Sequence, residues 1–476
     1  MRVSLLQIAL VASQQAGLLT AGDVDDNLNF DFYLGYNDRT HEGIEDQEAN
    51  FVAPDLSDRI LVKVQDSTGA HFPCADVTAN AADTTATLSA GTNGLLYLFP
   101  TFDGLASAAL TLTAVPPGGC SGQCVAASGQ ATGGGDEVTL VIAGASAEPP
   151  QALDVVFVID TTGSMGDELS YLQKELSSVF DRVKEDNPQA SIRIGLVLYR
   201  DHGDAYVTRT FGLSNSISDR AADLDKQNAD GGGDFPEAML EGMEAGMEMD
   251  WRAGNTARVM FVVADAPPKP GTYSKTIQAA KTARSKGIVV LGLAASGVDG
   301  TAEYLMRLFA AVTGGRHLFL TDDSGIGNSH QEPKIQCYQV TRLDSLLVRV
   351  LKSQLVGERV EASDGEIIRE VGRQERGVCI IDITTTTTTT AAAVTTDATA
   401  TDGATTAGST TESAASTTGA ATTGAGGTVV MDEVPDGVDI SPSTGFSDES
   451  EMFAAGCPGI GGSLFGIVLV LTKALG

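Results

Sequence analysis

Basic residues are scarce in this chain: 30 Lys and Arg stand against 62 Asp and Glu over 476 residues, a formal charge of -32. A surface of that sign repels a phosphate backbone, which excludes nucleic acid as a partner and disfavours anionic lipid. Histidine is scarce too, with five in all. None lies in a His-Glu-x-x-His run or is placed as a base beside a nucleophile, so the chain reads as no enzyme and no residue is given a catalytic or organic cofactor-binding role. There is no Asn-x-Ser/Thr acceptor for N-linked sugars. The apolar run 464–471 falls short of the roughly 20 residues a relaxed helix needs to cross a bilayer. The length suffices for two cores plus linkers.

What is present is oxygen chemistry. The apolar run 154–159 ends in Asp160-Thr161-Thr162-Gly163-Ser164-Met165, which sets a carboxylate and two hydroxyls at positions i, i+2 and i+4 of one turn. That is an all-oxygen nest suited to a hard divalent cation. Two more acidic loops follow in order, Gly231-Gly232-Gly233-Asp234-Phe235-Pro236-Glu237 before a helical pattern and Asp265-Ala266-Pro267-Pro268 after the apolar run 259–264. Three such loops in an α/β pattern point to one site at the carboxyl edge of a sheet, with Asp160, Thr162, Ser164, Asp234 and Asp265 as candidate metal ligands. The competing reading is that Asp160, Ser164 and Asp234 merely cap helices, with Pro236 in a first turn. Asp167 and Glu168 favour the start of the next helix through its dipole. Asp201 and Asp204 are either supporting groups or turn residues, and His202 reads as a solvent or packing histidine.

These motifs, together with Tyr199-Arg200-Asp201-His202-Gly203-Asp204, resemble a von Willebrand factor A domain. The resemblance covers about a third of the chain and implies a metal-ion-dependent adhesion site. It implies a Mg²⁺ ion, with Mn²⁺ or Ca²⁺ as substitutes, that Thr162 and Ser164 touch directly and Asp160 and Asp265 hold through waters. A partner carboxylate would complete the shell. Asp234 stands where better-known adhesion domains use threonine.

The fold expected is α/β, a doubly wound, mostly parallel central sheet flanked by helices over 152–325. Leu169, Leu172, Leu176, Val179, Phe180 and Val183 recur at three- and four-residue steps, the stripe of a helix on a sheet. Met239, Met243 and Met247, with Gly242 and Gly246, predict a helix packed closely on that sheet. Strands are expected at 191–198, 288–293 and 316–320, and helices at 273–286 and 302–312.

The flanks read differently. Residues 1–16 look like a secretory signal. Residues 23–57 form an acidic segment whose Asp31, Asp38, Glu42, Glu45, Asp46 and Glu48 either bind calcium or are simply solvated. Over 58–146, short alternating runs between turns predict a small β-sandwich, loosely similar to carboxypeptidase-regulatory-like domains. In an oxidising compartment Cys337 would pair with Cys379 across the extension 326–383, and Cys120 or Cys124 with Cys74. Seven consecutive threonines open a low-complexity tract over 384–427, a linker or an O-glycosylated stalk. The segment 428–476 closes on a short apolar tail preceded by Ala454, Ala455 and Gly456, the pattern of a lipid-anchor site.

The expectation is therefore a secreted or surface-anchored module whose cation bridges to an acidic group on a protein or glycan partner, with membrane attachment only through a C-terminal lipid anchor. The alternative is a metal-assisted hydrolase or an accessory subunit of an enzyme complex.

Overall fold

The computed structural model describes residues 19–45, 51–105, 109–324, 335–373 and 379–380. The expected signal, the threonine tract and the tail lie outside these residues, as do Asp46 and Glu48 of the acidic segment. The elements run β1 (Thr20–Val24), α1 (Phe30–Glu45), β2 (Ile60–Asp66), β3 (Asp76–Asn80), β4 (Thr85–Ser89), β5 (Leu95–Leu98), α2 (Pro100–Asp103), β6 (Leu110–Val115), β7 (Ala127–Ala131) and β8 (Glu137–Ile142). They continue as β9 (Ala152–Asp160), α3 (Gly166–Asp186), β10 (Ser191–Tyr199), β11 (Thr208–Ser214), α4 (Ile217–Leu224), α5 (Met239–Met247), β12 (Thr256–Ala264), α6 (Tyr273–Ser285), β13 (Val289–Ala294), α7 (Gly300–Thr313) and β14 (His317–Thr321). The last are β15 (Tyr338–Arg342), α8 (Leu343–Val356) and β16 (Arg369–Val371).

Nine strands make one sheet in the order β11-β10-β9-β12-β13-β14-β1-β15-β16. Its centre, β10 through β14, is parallel. Near-continuous apolar runs build it because both faces are covered. In β9, Val156 and Val158 enter one core while Val155, Phe157 and Ile159 enter the other. Helices α5, α6 and α7 cover the first face, and α3, α4 and α8 the second. The α3 stripe is buried as its spacing predicts, and so are Met239, Met243 and Met247 of α5. Gly242 and Gly246 let α5 sit close. A Cβ on Gly242 would stand 2.6 Å from Tyr199 Cδ1, and one on Gly246 2.9 Å from Val158 Cγ2.

Chain order reverses between β9 and β12: the chain first steps outward from β9 to β10 and β11, then returns to the other side of β9. Their carboxyl ends therefore flank a topological switch point, the place where open α/β sheets bind ligands.

The sheet extends beyond 152–325. β1 inserts antiparallel between β14 and β15, and Gly22 makes room for it, since a Cβ there would lie 2.6 Å from the Phe319 ring. The acidic segment is correspondingly not just solvated. Asp26 is buried and bonded to Arg307 at 2.6 and 3.0 Å, and Phe30 and Tyr33 join the core. Asp31 and Asp38 stay exposed on α1.

Residues 60–142 form two separate small sheets, β5-β2-β8 and β4-β3-β6-β7, around one shared apolar cluster. Arg284 of α6 ties them to the large sheet through a buried 2.7 Å bond to Asp103. Cys337 pairs with Cys379 as expected. The other expectation is corrected: Cys120 bonds Cys124 within one exposed turn, their Cα atoms 5.2 Å apart, a spacing a disulfide accommodates. Cys74 is unbridged because it is buried under the large sheet, its Sγ 3.5 Å from the Thr256 carbonyl.

Candidate metal centre

Strand β9 delivers Asp160 to the switch point, and the turn after it is held by its own polar groups. Asp160 Oδ1 accepts hydrogen bonds from the Thr162 amide at 2.8 Å and hydroxyl at 2.7 Å. Thr161 Oγ1 donates to the Tyr199 carbonyl at 2.8 Å and lies 2.8 Å from the Tyr206 hydroxyl. Gly163–Met165 then make a single 3-10 turn into α3. Asp265 follows β12 on the other side of the switch point, with Ser164 close enough to act on its carboxylate. Glu168 does more than favour the helix start: it is buried and accepts the Ser296 amide at 2.9 Å, fixing the loop after β13.

The glycine-rich loop lies over this turn. The Asp230 amide donates to the Thr161 carbonyl at 3.1 Å, and the Gly163 amide to the Gly231 carbonyl at 3.2 Å. Asp204 supports the loop from below, accepting the Gly232 amide at 2.8 Å. Gly232 has φ of +69°, and a Cβ there would stand 2.6 Å from Glu237 Oε1 and 3.1 Å from Thr162 Cβ. Only glycine lets Glu237 and Thr162 approach in this way.

Of the five expected ligands, the structure joins Asp160 to Thr162 by a hydrogen bond and sets Ser164 close enough to Asp265 to act on its carboxylate. Asp234 is exposed and held elsewhere. Lys269 Nζ lies 3.0 and 3.1 Å from its two oxygens and 2.6 Å from Asp201 Oδ2. His202 is exposed and pairs with Glu241 at 2.8 Å, so it is a surface histidine as expected. Sequence reasoning missed Glu237, the buried partner of this cluster, and Lys269. Their signals were the glutamate three residues after Asp234 and the lysine directly after Pro268.

The site holds carboxylates short of positive charge. Asp160 is pushed up to about 7, first by burial and then, among charges, by Asp265. Glu237 is pushed up to about 8 by burial and then by Asp160 and Asp201. Burial raises Asp265 as well, against the lowering effect of Ser164. The bond from Lys269 holds Asp234 below the usual carboxylate range. One oxygen of each of Asp160, Asp201, Glu237 and Asp265 is buried outside any formed hydrogen bond. Buried acceptors are rarely left so, and hard anionic oxygens beside two hydroxyls fit a divalent cation. Among the described residues no three His, Cys, Asp or Glu side chains converge closely enough to hold a metal by themselves, so a donor set here would need other oxygens, such as these hydroxyls, beside the carboxylates.

Comparisons with known proteins bear on the fold. Alpha-protein kinase vwkA of Dictyostelium discoideum is 30% identical over 119 residues, 25% of this chain and 19% of that protein. The ariadne-like RING finger protein R811 of Acanthamoeba polyphaga mimivirus is 34% identical over 116 residues, 24% of this chain and 11% of that one. The chain thus spans under a fifth of either relative. Among solved structures, BatB of Bacteroides thetaiotaomicron aligns at 14% identity and TM-score 0.28 over 37% of this chain and 91% of its own. The pilus adhesin SpaC of Lactobacillus rhamnosus GG aligns at 12% and 0.32 over 62% and 39%; at these scores neither likeness bears on function. The profile of the von Willebrand factor A domain family matches residues 154–308. With the switch-point turn, the acidic loops and the parallel strands β10, β12 and β13 falling inside that match, the chain carries a von Willebrand factor A domain.

Proposed function

We propose that this domain is a binding module that captures an acidic group on a protein or glycan partner through a divalent cation, with no chemical step of its own. Thr162 and Ser164 would hold the cation with Asp160 and Asp265, and Mg²⁺ suits their hard oxygens best. Bound there, the cation supplies the positive charge that the site lacks and that an acidic partner needs, locally inverting the field of a chain of charge -32. The single observation that carries the reading is Asp160 Oδ2, buried at the switch point outside any formed hydrogen bond, with the buried Tyr199 hydroxyl as the donor beside it. The two disulfides favour an oxidising, extracellular setting. No described helix is long and apolar enough to cross a membrane.

The test is calorimetric titration of the full chain with Mg²⁺, Mn²⁺ and Ca²⁺, followed by binding of poly-glutamate as an acidic probe in Mg²⁺ or in EDTA. The expected result is one cation site, lost in Asp160→Ala, and probe binding that EDTA abolishes. A folded wild-type chain that binds no cation, or an Asp160→Ala variant that binds it as wild type does, would sink the assignment.

A further inference from the structure

The opposite edge of the large sheet concentrates charge of the other sign. β14 runs parallel to the strands that end at Asp160 and Asp265, so Arg316, just before β14, lies at their amino-terminal edge. Arg316, Arg349 of α8 and Arg359 after that helix line a cavity of about 260 Å³, together with Asp23 and Glu361. Three guanidinium groups around one cavity stand out in so acidic a chain.

Two of the three are largely neutralised. Arg316 pairs with Asp23 at 3.2 Å, and Arg359 pairs with Glu361 at 2.5 Å and Asp23 at 3.4 Å. Arg349 differs. It is 7% exposed, its Nη2 donates to Thr341 Oγ1 at 3.2 Å, and its Nη1 is buried with no acceptor. Arg359 Nη1 is likewise buried without an acceptor, 3.6 Å from Asp25 Oδ2 and beyond hydrogen-bond reach. A buried guanidinium without a counter-charge is costly unless something pairs with it. Burial pulls Arg349 below its ordinary value, with Asp23 and Glu366 offsetting this only in part.

We propose that this cavity is a second ligand site, which takes the oxyanion of a small molecule, carboxylate or phosphate, on Arg349, with Arg359 lining the same cavity. Guanidinium donors in a fork match the paired oxygens of such a group. Among the described residues Arg316 and Arg359 each have carboxylates at ion-pair distance, Asp25 included, whereas Arg349 has none, so a single anionic group would give Arg349 the partner it lacks. The volume falls just under the roughly 300 Å³ at which pockets for drug-sized ligands begin, so the occupant is a small molecule and not a peptide. The proposal stands apart from the cation reading, since it uses none of the same residues.

Calorimetric titration of the full chain in EDTA at constant ionic strength decides it, with inorganic phosphate in one arm and propionate in the other. EDTA keeps the cation centre out of the measurement. The expected result is saturable one-site binding in at least one arm, weakened about tenfold or more in Arg349→Met and unchanged in Arg369→Gln, which removes an outer arginine paired with Asp323 at 2.8 Å. The arm that saturates identifies the anion. No saturable binding of either probe by the folded chain, or wild-type affinity in Arg349→Met, overturns the proposal. If Arg349→Met does not fold by near-ultraviolet circular dichroism, Arg359→Gln is read in the same titrations with the same two outcomes.

Discussion

A single ammonium group governs the electrostatics at the edge of the candidate metal centre. Lys269 bonds both Asp201 and Asp234, neutralising two carboxylates whose field would otherwise favour a cation. Lys269→Met should therefore tighten Mg²⁺ binding by up to about fivefold, the scale of a partly exposed ion pair. Calorimetry checks this, and unchanged affinity would mean that neither aspartate acts on the cation. Protonation gives a second expectation. Unfolded, Asp160 and Glu237 ionise near 3.8 and 4.5, whereas in the cation-free fold they keep their protons to about 7 and about 8. Raised folded values add stability that is complete below the unfolded ones and lost as pH climbs through the folded ones. In EDTA the melting temperature should thus fall between about pH 4 and pH 8, and fall less in an Asp160→Asn, Glu237→Gln double variant. Equal slopes in the two proteins would refute the cause assigned. Asp160, Thr162, Ser164 and Asp265 were legible in the sequence because a short turn or a strand end places each of them. Glu237 and Lys269 were not, because their roles arise only where loops distant in sequence meet.

Among the elements, α5 shows how closely the core supports the site. Its Gly242 faces the ring of Tyr199, whose buried hydroxyl lies beside Asp160 and within the fields of Asp265 and Glu237. Alanine is worth about 1 kcal/mol more than glycine in a helix interior. A methyl group 2.6 Å from Tyr199 Cδ1 overpacks a buried wall, at a cost of about 1–3 kcal/mol. Packing should win or at best break even, so Gly242→Ala should show no gain in urea denaturation and should disturb cation binding by displacing Tyr199. A clear stabilisation with normal Mg²⁺ affinity would count against the close packing. The stripes of α3 and α5 were readable from their periodicity, and β9 and β12 from apolar runs that reflect burial on both faces. β1 was hidden. Its sequence, Thr-Ala-Gly-Asp-Val, has little apolar signal, and its place is decided by the two strands it joins and by the space Gly22 leaves for Phe319.

For the whole molecule, the domain that the family match delimits is smaller than the sheet and core it belongs to. β1 covers the edge of β14, and α8 supplies Leu343, Leu346, Leu347, Val350 and Leu351 to the core that α3 also faces. A fragment cut to 150–325 lacks all of these, so it would expose a strand edge and an apolar face and should aggregate. The tie at the other end of β1 can be measured in the intact chain. Arg307 and Asp26 are both buried and doubly hydrogen-bonded, with Arg307 also 3.7 Å over the Tyr36 ring. They fasten the segment that leads into α1 onto α7. Removing one partner leaves an uncompensated buried charge, which costs about 3–5 kcal/mol, whereas replacing both by apolar groups of similar size is often neutral. Asp26→Leu should thus lower the urea midpoint sharply, and adding Arg307→Met should restore much of the loss. If the two losses simply add, the pair is not the contact that locks the amino-terminal segment to the large sheet, and the burial of Phe30 and Tyr33 must carry that role alone.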